Sequence, residues 1–158
     1  MMQLMVRLHY SATERVPVST DSESMFLIYE GEHFEVEFYF DENGEMQGRE
    51  EFEVLTENEK AAFLARAVKL ADSAPGTIHP KTIFNLEDEK EKIFAIKFWN
   101  NRFCSFFYEG GKIVITNSYK KQTQKNTKRE KEQIKKSVEM KKDYVIRNKL
   151  NKYYKGKK

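Results

Sequence analysis

Three stretches decide the fold: Ile93-Phe-Ala-Ile-Lys-Phe98, Arg102-Phe-Cys-Ser-Phe-Phe-Tyr108 and Ile113-Val-Ile-Thr-Asn-Ser-Tyr119. β-Branched and aromatic side chains dominate each, as a pleated, partly buried surface favours. Glu109-Gly-Gly111, between the second and third, is a hairpin signal, because glycine reaches positive φ without a steric penalty. Trp99 beside Asn100-Asn101 marks the flank of the preceding hairpin. The spacing predicts three consecutive antiparallel strands, with Cys104 buried in the middle one. Thr127 and Glu130 then form a capping-box pattern that opens a helix, with Ile134, Val138 and Val145 on its apolar stripe.

Upstream, residues 77–91 read as a connector with a short turn around Phe84 and Leu86. Thr56 and Glu59 form another capping box. The helix it opens is predicted to run to about Ser73, carrying Phe63, Ala67 and Leu70 on one stripe, and Pro75-Gly76 ends it. From Phe34 to Phe40 the residues alternate. Phe34, Val36, Phe38 and Phe40 share one face, and Glu35, Glu37 and Tyr39 the other, the pattern of a half-buried strand. Short strands are also expected at Met2–Tyr10 and Met25–Tyr29, with a loop at Ser19–Ser24 between them. The order of strand, helix, three strands and helix predicts an α+β fold: a small antiparallel sheet with flanking helices on one of its faces. Residues 1–33 read as an extension, 34–147 as the domain, and 148–158 as a basic tail that frays.

A chain of 158 residues fits one domain. No apolar run approaches the roughly 20 residues that span a bilayer, and Met1–Tyr10 lacks the apolar core of a secretion signal. A cytoplasmic location is the expectation. Cys104 is the sole cysteine and the three histidines are scattered, so neither a structural zinc site nor a metal or other cofactor is predicted. The net charge of +3 hides an asymmetry. Residues 1–90 hold 8 Lys/Arg against 19 Asp/Glu, a balance of −11, whereas residues 91–158 hold 20 against 6, a balance of +14. A basic half of this strength fits phosphate binding.

The ordered set Ile93–Lys97, Asn101–Phe107 and Lys112–Asn117, followed by Tyr119-Lys-Lys-Gln-Thr-Gln-Lys125, Lys128-Arg-Glu130 and a late Tyr144, resembles the phage-derived, HigB-type branch of the RelE/HigB toxin superfamily. The likeness covers roughly residues 34–147. It implies a compact microbial-RNase-like domain, the toxin of a type II toxin–antitoxin pair. Such toxins cleave mRNA, often on the ribosome, and a small helix-turn-helix antitoxin protein neutralises them. Two positions depart from the pattern: Asn126-Thr127 stands where a proline is usual, and Ala95-Ile-Lys97 where Glu-x-Arg is common.

Attack of a ribose 2′-hydroxyl on the adjacent phosphate needs a base, a cationic clamp on the phosphate, and an acid for the leaving 5′-oxygen. No histidine lies in residues 80–158, so Lys, Arg and Tyr must supply these roles. Arg102, with its planar fork of donors, is the candidate phosphate clamp, and Lys97, one strand away, can share its face. Lys121 and Lys125, crowded by other cations, are candidates for proton transfer. Lys120, Gln124, Lys128, Arg129 and Tyr119 are the candidate RNA-binding residues, with Tyr119 able to stack a base. These residues fit metal-independent endoribonuclease chemistry, and the resemblance implies mRNA, the ribosome and an antitoxin as partners. The departures at Lys97 and Asn126 motivate a second expectation, a non-catalytic RNA-binding phage or mobile-element protein of the same fold. A ParE-like gyrase inhibitor is the third.

Overall fold

The computed structural model describes residues 25–154, and the strand and loop expected in residues 2–24 lie outside that range. Six strands form one sheet in the order β1-β2-β6-β5-β4-β3: β1 Leu27–Glu30, β2 Glu35–Phe38, β3 Phe84–Asp88, β4 Ile93–Phe98, β5 Asn101–Tyr108 and β6 Lys112–Lys120. Three helices complete the fold, α1 Gln47–Glu53, α2 Glu57–Asp72 and α3 Lys128–Lys149.

The β4-β5-β6 meander is antiparallel, as the hairpin signals require. Both capping boxes are present: Thr56 and Glu59 open α2, and Thr127 and Glu130 open α3. The α+β class therefore holds. The sheet is mixed rather than antiparallel, because β2 lies parallel to β6. The chain leaves β2 through α1 and α2, enters the far edge of the sheet as β3, and meanders back until β6 lies beside β2. A parallel partner is reachable only through a crossover of this kind.

Helices also cover both faces rather than one. Against one face, α1 and α2 bury Phe52, Phe63 and Leu70 on Phe38, Phe98 and Phe103. Phe63 alone meets four aromatic rings, with centroid distances from 4.8 to 6.5 Å. Burying each such side chain stabilises by about 1.5–3 kcal/mol. Against the other face, α3 packs Ile134, Val138 and Tyr144 on Ile93, Cys104, Phe106 and Val114.

Because both faces are covered, β2 is buried on both sides. Glu37, expected in solvent, is completely enclosed. Tyr154 Oη donates a hydrogen bond to it, and Lys112 Nζ lies 3.6 Å from its second carboxylate oxygen. Burial pushes the Glu37 carboxyl up to about 7, against the opposing effects of Tyr154 and Lys112. The same contacts correct the expectation of a frayed tail. Tyr153 is buried, stacks on Phe40 at 4.1 Å, and accepts from the Phe40 backbone N–H at 2.9 Å.

The expected connector at 77–91 contains β3, whose residues Phe84–Leu86 pair with Phe94–Ile96. The turn between β3 and β4 runs from the end of this segment to Lys92, which has φ 56°. The first helix, α1, was not anticipated, as its seven residues lack a side-chain cap.

Candidate functional site

Lys97, Arg102 and Tyr119 fall in one row across three adjacent strands. Lys97 of β4 pairs with Arg102 of β5, which pairs with Tyr119 of β6. Side chains in one row of a pleated sheet share a face, here the face toward α3. The loop 121–127, between β6 and α3, and the Trp99-Asn100 turn, between β4 and β5, close over the end of this row. Together they form an open cleft of about 770 Å³ whose lining includes Glu87, Lys97, Trp99, Arg102, Tyr119 and Lys121. Lys121 N–H donates to Asn100 C=O at 2.7 Å and ties the loop to the turn.

Among the described residues no salt bridge ends on Lys97 or Arg102. Arg102 Nη1 instead donates to the carbonyls of Trp99 and Asn101, each at 2.9 Å. Those bonds fix the guanidinium, and no carboxylate among the described residues lies within salt-bridge distance of it. Partial burial, and then the neighbouring Arg102 and Lys121 cations, hold the Lys97 ammonium below the ordinary lysine range, with Glu87 opposing them. A lysine so placed surrenders its proton more readily than a solvated one.

Lys121 is differently held. Its ammonium donates to Asn126 Oδ1 and lies 3.4 Å from Glu130 Oε1. Glu130 also accepts from the backbone N–H of Thr127 and of Gln122. Burial opposes its ionisation, but these bonds and Lys121 outweigh it, so the carboxyl sits below its usual range. The loop is thereby anchored at both ends to one carboxylate.

Of the remaining residues singled out in the sequence, Gln124 also lines the cleft. Lys125 is exposed at the tip of the loop and does not line it; its carbonyl accepts from Thr123 Oγ1 at 2.6 Å. Lys128 and Arg129 are exposed on the first turn of α3, beside the cleft rather than in it. Lys120 belongs to the opposite face. Strand alternation turns it away from Tyr119, and its Nζ meets Glu59 Oε2 at 3.1 Å, at the start of α2. Tyr144 is buried against Phe106 and Tyr153 and serves as a packing residue.

Glu87 and Trp99 are cleft residues that the sequence reading did not put in a site. Glu87, on the edge strand β3, accepts a hydrogen bond from Tyr119 Oη at 3.1 Å. Burial and the Glu87 charge raise the Tyr119 phenol far above its usual value, so it acts as a neutral donor. Alternation of Phe84 with Asn85 and of Leu86 with Glu87 was the available signal. The acidic run Glu87-Asp-Glu89 masked it.

No helix among the described residues is long and apolar enough to cross a membrane. Three cations, a carboxylate and a neutral phenol around an open cleft can bind a phosphodiester and exchange protons with it. In sequence comparisons the chain matches no protein-family model and no curated protein.

Proposed function

We propose that the chain is a metal-independent endoribonuclease, the toxin of a type II toxin–antitoxin pair. On this reading it cleaves mRNA on the ribosome and is neutralised by a small helix-turn-helix antitoxin. The observation that carries this reading is the row Lys97–Arg102–Tyr119, facing Glu87 across the cleft with no salt bridge on either cation.

The chemistry follows from the positions. The Arg102 guanidinium and the Lys121 ammonium neutralise the phosphate as charge builds on its non-bridging oxygens. Glu87, a carboxylate within the cleft, removes the 2′-hydroxyl proton while Tyr119 Oη steadies one of its oxygens. The 2′-oxygen forms a bond to phosphorus and the bond from phosphorus to the 5′-oxygen breaks. Lys97 gives its proton to the departing 5′-oxygen. The products are a 2′,3′-cyclic phosphate and a free 5′-hydroxyl, with every proton accounted for.

One observation favours a second reading, binding without cleavage: Lys121 is already engaged by Asn126 and Glu130, so part of its charge is spent inside the protein. Induction in a bacterial host separates the two. Growth arrest with new mRNA 5′ ends, abolished by Arg102→Ala and by Glu87→Gln, supports the nuclease. Normal growth and intact mRNA, with RNA still retained by the purified protein, leaves binding alone. Arrest through loss of supercoiling with mRNA intact would point to a gyrase-directed toxin.

A further inference from the structure

Trp99 is the sole tryptophan of the chain, and about two thirds of its surface is exposed. Core packing does not explain it. It occupies the first position of the two-residue turn between β4 and β5 with φ 52°. Bulky residues rarely adopt that backbone region, whereas asparagine and glycine do so readily. Asparagine stands at both following positions, yet the strained one carries an indole. Strain of this kind persists where the surrounding structure enforces it and is concentrated at functional sites. Here the two-residue hairpin loop itself imposes the positive φ, and Arg102 Nη1 donates to the Trp99 carbonyl at 2.9 Å. The indole meets Phe98 edge to face at 6.3 Å and otherwise stands at the rim of the basic cleft. Arg102 and the adjacent Asn100 stand beside it, and Gln122 and Gln124 line the same cleft.

We propose that Trp99 is a stacking platform for one unpaired base, which makes single-stranded RNA the substrate class of the cleft. This inference rests on the cleft being an RNA site. An aromatic face beside a phosphate clamp is the arrangement that grips single strands, because every base offers a π-face while its own phosphate lies a few ångströms away. A base held in a duplex cannot reach the indole without leaving its stack. The platform therefore selects unpaired RNA with little preference among bases.

Trp99 reports on its own occupancy, since no second tryptophan contributes emission. The test titrates the full chain with a short 2′-O-methylated single-stranded RNA, the same sequence as a duplex, and inorganic polyphosphate, following tryptophan emission and fluorescence anisotropy together. The single strand is expected to quench emission with the same midpoint that anisotropy reports. Polyphosphate is expected to bind without quenching. Trp99→Phe keeps most of the affinity, whereas Trp99→Ala loses about tenfold or more. Trp99→Asn provides a variant whose backbone suits the turn, so its loss of affinity reflects the missing ring rather than misfolding. Binding of the single strand with unchanged emission, and unchanged affinity in Trp99→Asn, overturns the platform and leaves the cleft reading intact. Absence of binding by any RNA overturns the cleft reading and the platform with it.

Discussion

Lys97 and Lys112 lie on the same face of one sheet, toward α3, but at opposite ends of that helix. Lys97 sits beside the loop that enters α3, among Arg102, Lys121 and Glu87. Lys112 sits near its last turns, where it donates to Glu35 and lies 3.6 Å from Glu37. Burial acts to lower both ammonium groups. For Lys97 the neighbouring cations add to that effect, whereas for Lys112 the two carboxylates overcome it and hold the proton more tightly than usual. The same side chain is thus set to release a proton at one end of α3 and to keep one at the other. A lysine's role is determined by the charges packed around it rather than by its place in a basic run.

The sharpest break of this contrast is at the cleft. With a defined single-stranded RNA, Glu87→Gln is expected to slow cleavage by about 10²–10⁴-fold. Arg102→Ala is expected to slow it by about 10²–10³-fold, while thermal unfolding of both variants stays close to that of the wild type. A wild-type rate in either variant would place the reacting phosphate elsewhere. Because Lys97 must be protonated to serve the leaving oxygen, the rate should fall as pH rises through a value below the ordinary lysine range. Lys97→Arg should remove that alkaline limb, as guanidinium does not titrate there. Activity should persist in excess EDTA, since every group assigned to the chemistry is a side chain.

At the paired end the readout is stability. Glu37 has a folded-state value of about 7 against 4.5 unfolded, so its contribution is fully present below pH 4.5 and is lost as pH rises through 7. A displacement of that size corresponds to about 3 kcal/mol. Denaturant midpoints at pH 5 and pH 8 should differ more for wild type than for Glu37→Gln, and identical differences would contradict the burial of this carboxyl. Tyr154→Phe removes the donor to Glu37 Oε1 and should cost about 1–3 kcal/mol. The smallest effect is expected at Lys120. Its pairing with Glu59 is half exposed, so Lys120→Ala should change stability by less than about 1 kcal/mol and leave cleavage untouched.

What could be read from the sequence follows the range of the interactions involved. The β4-β5-β6 meander, both capping boxes and the buried Cys104 depend on neighbours within a few residues, and all were legible. The parallel contact of β2 with β6 joins Glu35 to Lys112, and no local pattern encodes it. Without that contact Glu37 looks like a surface residue and Tyr153 like part of a tail. The same holds for the site. Period-two alternation is enough to group Lys97 with Arg102 and, applied strictly, to separate Lys120 from Tyr119. Glu87 enters only once β3 is known to be an edge strand, and the setting of Trp99 only once its φ is known. Lys125, by contrast, gained its candidacy from the loop motif of the resemblance and from charge density, neither of which encodes orientation, and it is exposed outside the cleft.

The docking of Tyr153 carries a consequence for the order in which the protein can be made. Strand β2 is among the first described elements to leave the ribosome. Its parallel partner β6 follows more than seventy residues later, and the hydroxyl that accepts the Phe40 N–H follows that amide by 113 residues. Contacts of such sequence separation form late and slowly. Until β6 is synthesised β2 has one unpaired edge, and until residues 153 and 154 follow, Phe40 N–H lacks its acceptor and Glu37 lacks Tyr154. A nascent chain that has already produced all six strands and the cleft residues therefore still holds Glu37 without the Tyr154 hydroxyl that donates to it. The packing of Tyr153 and Tyr154 against β2 is thus the last part of the described fold that can form as the chain lengthens.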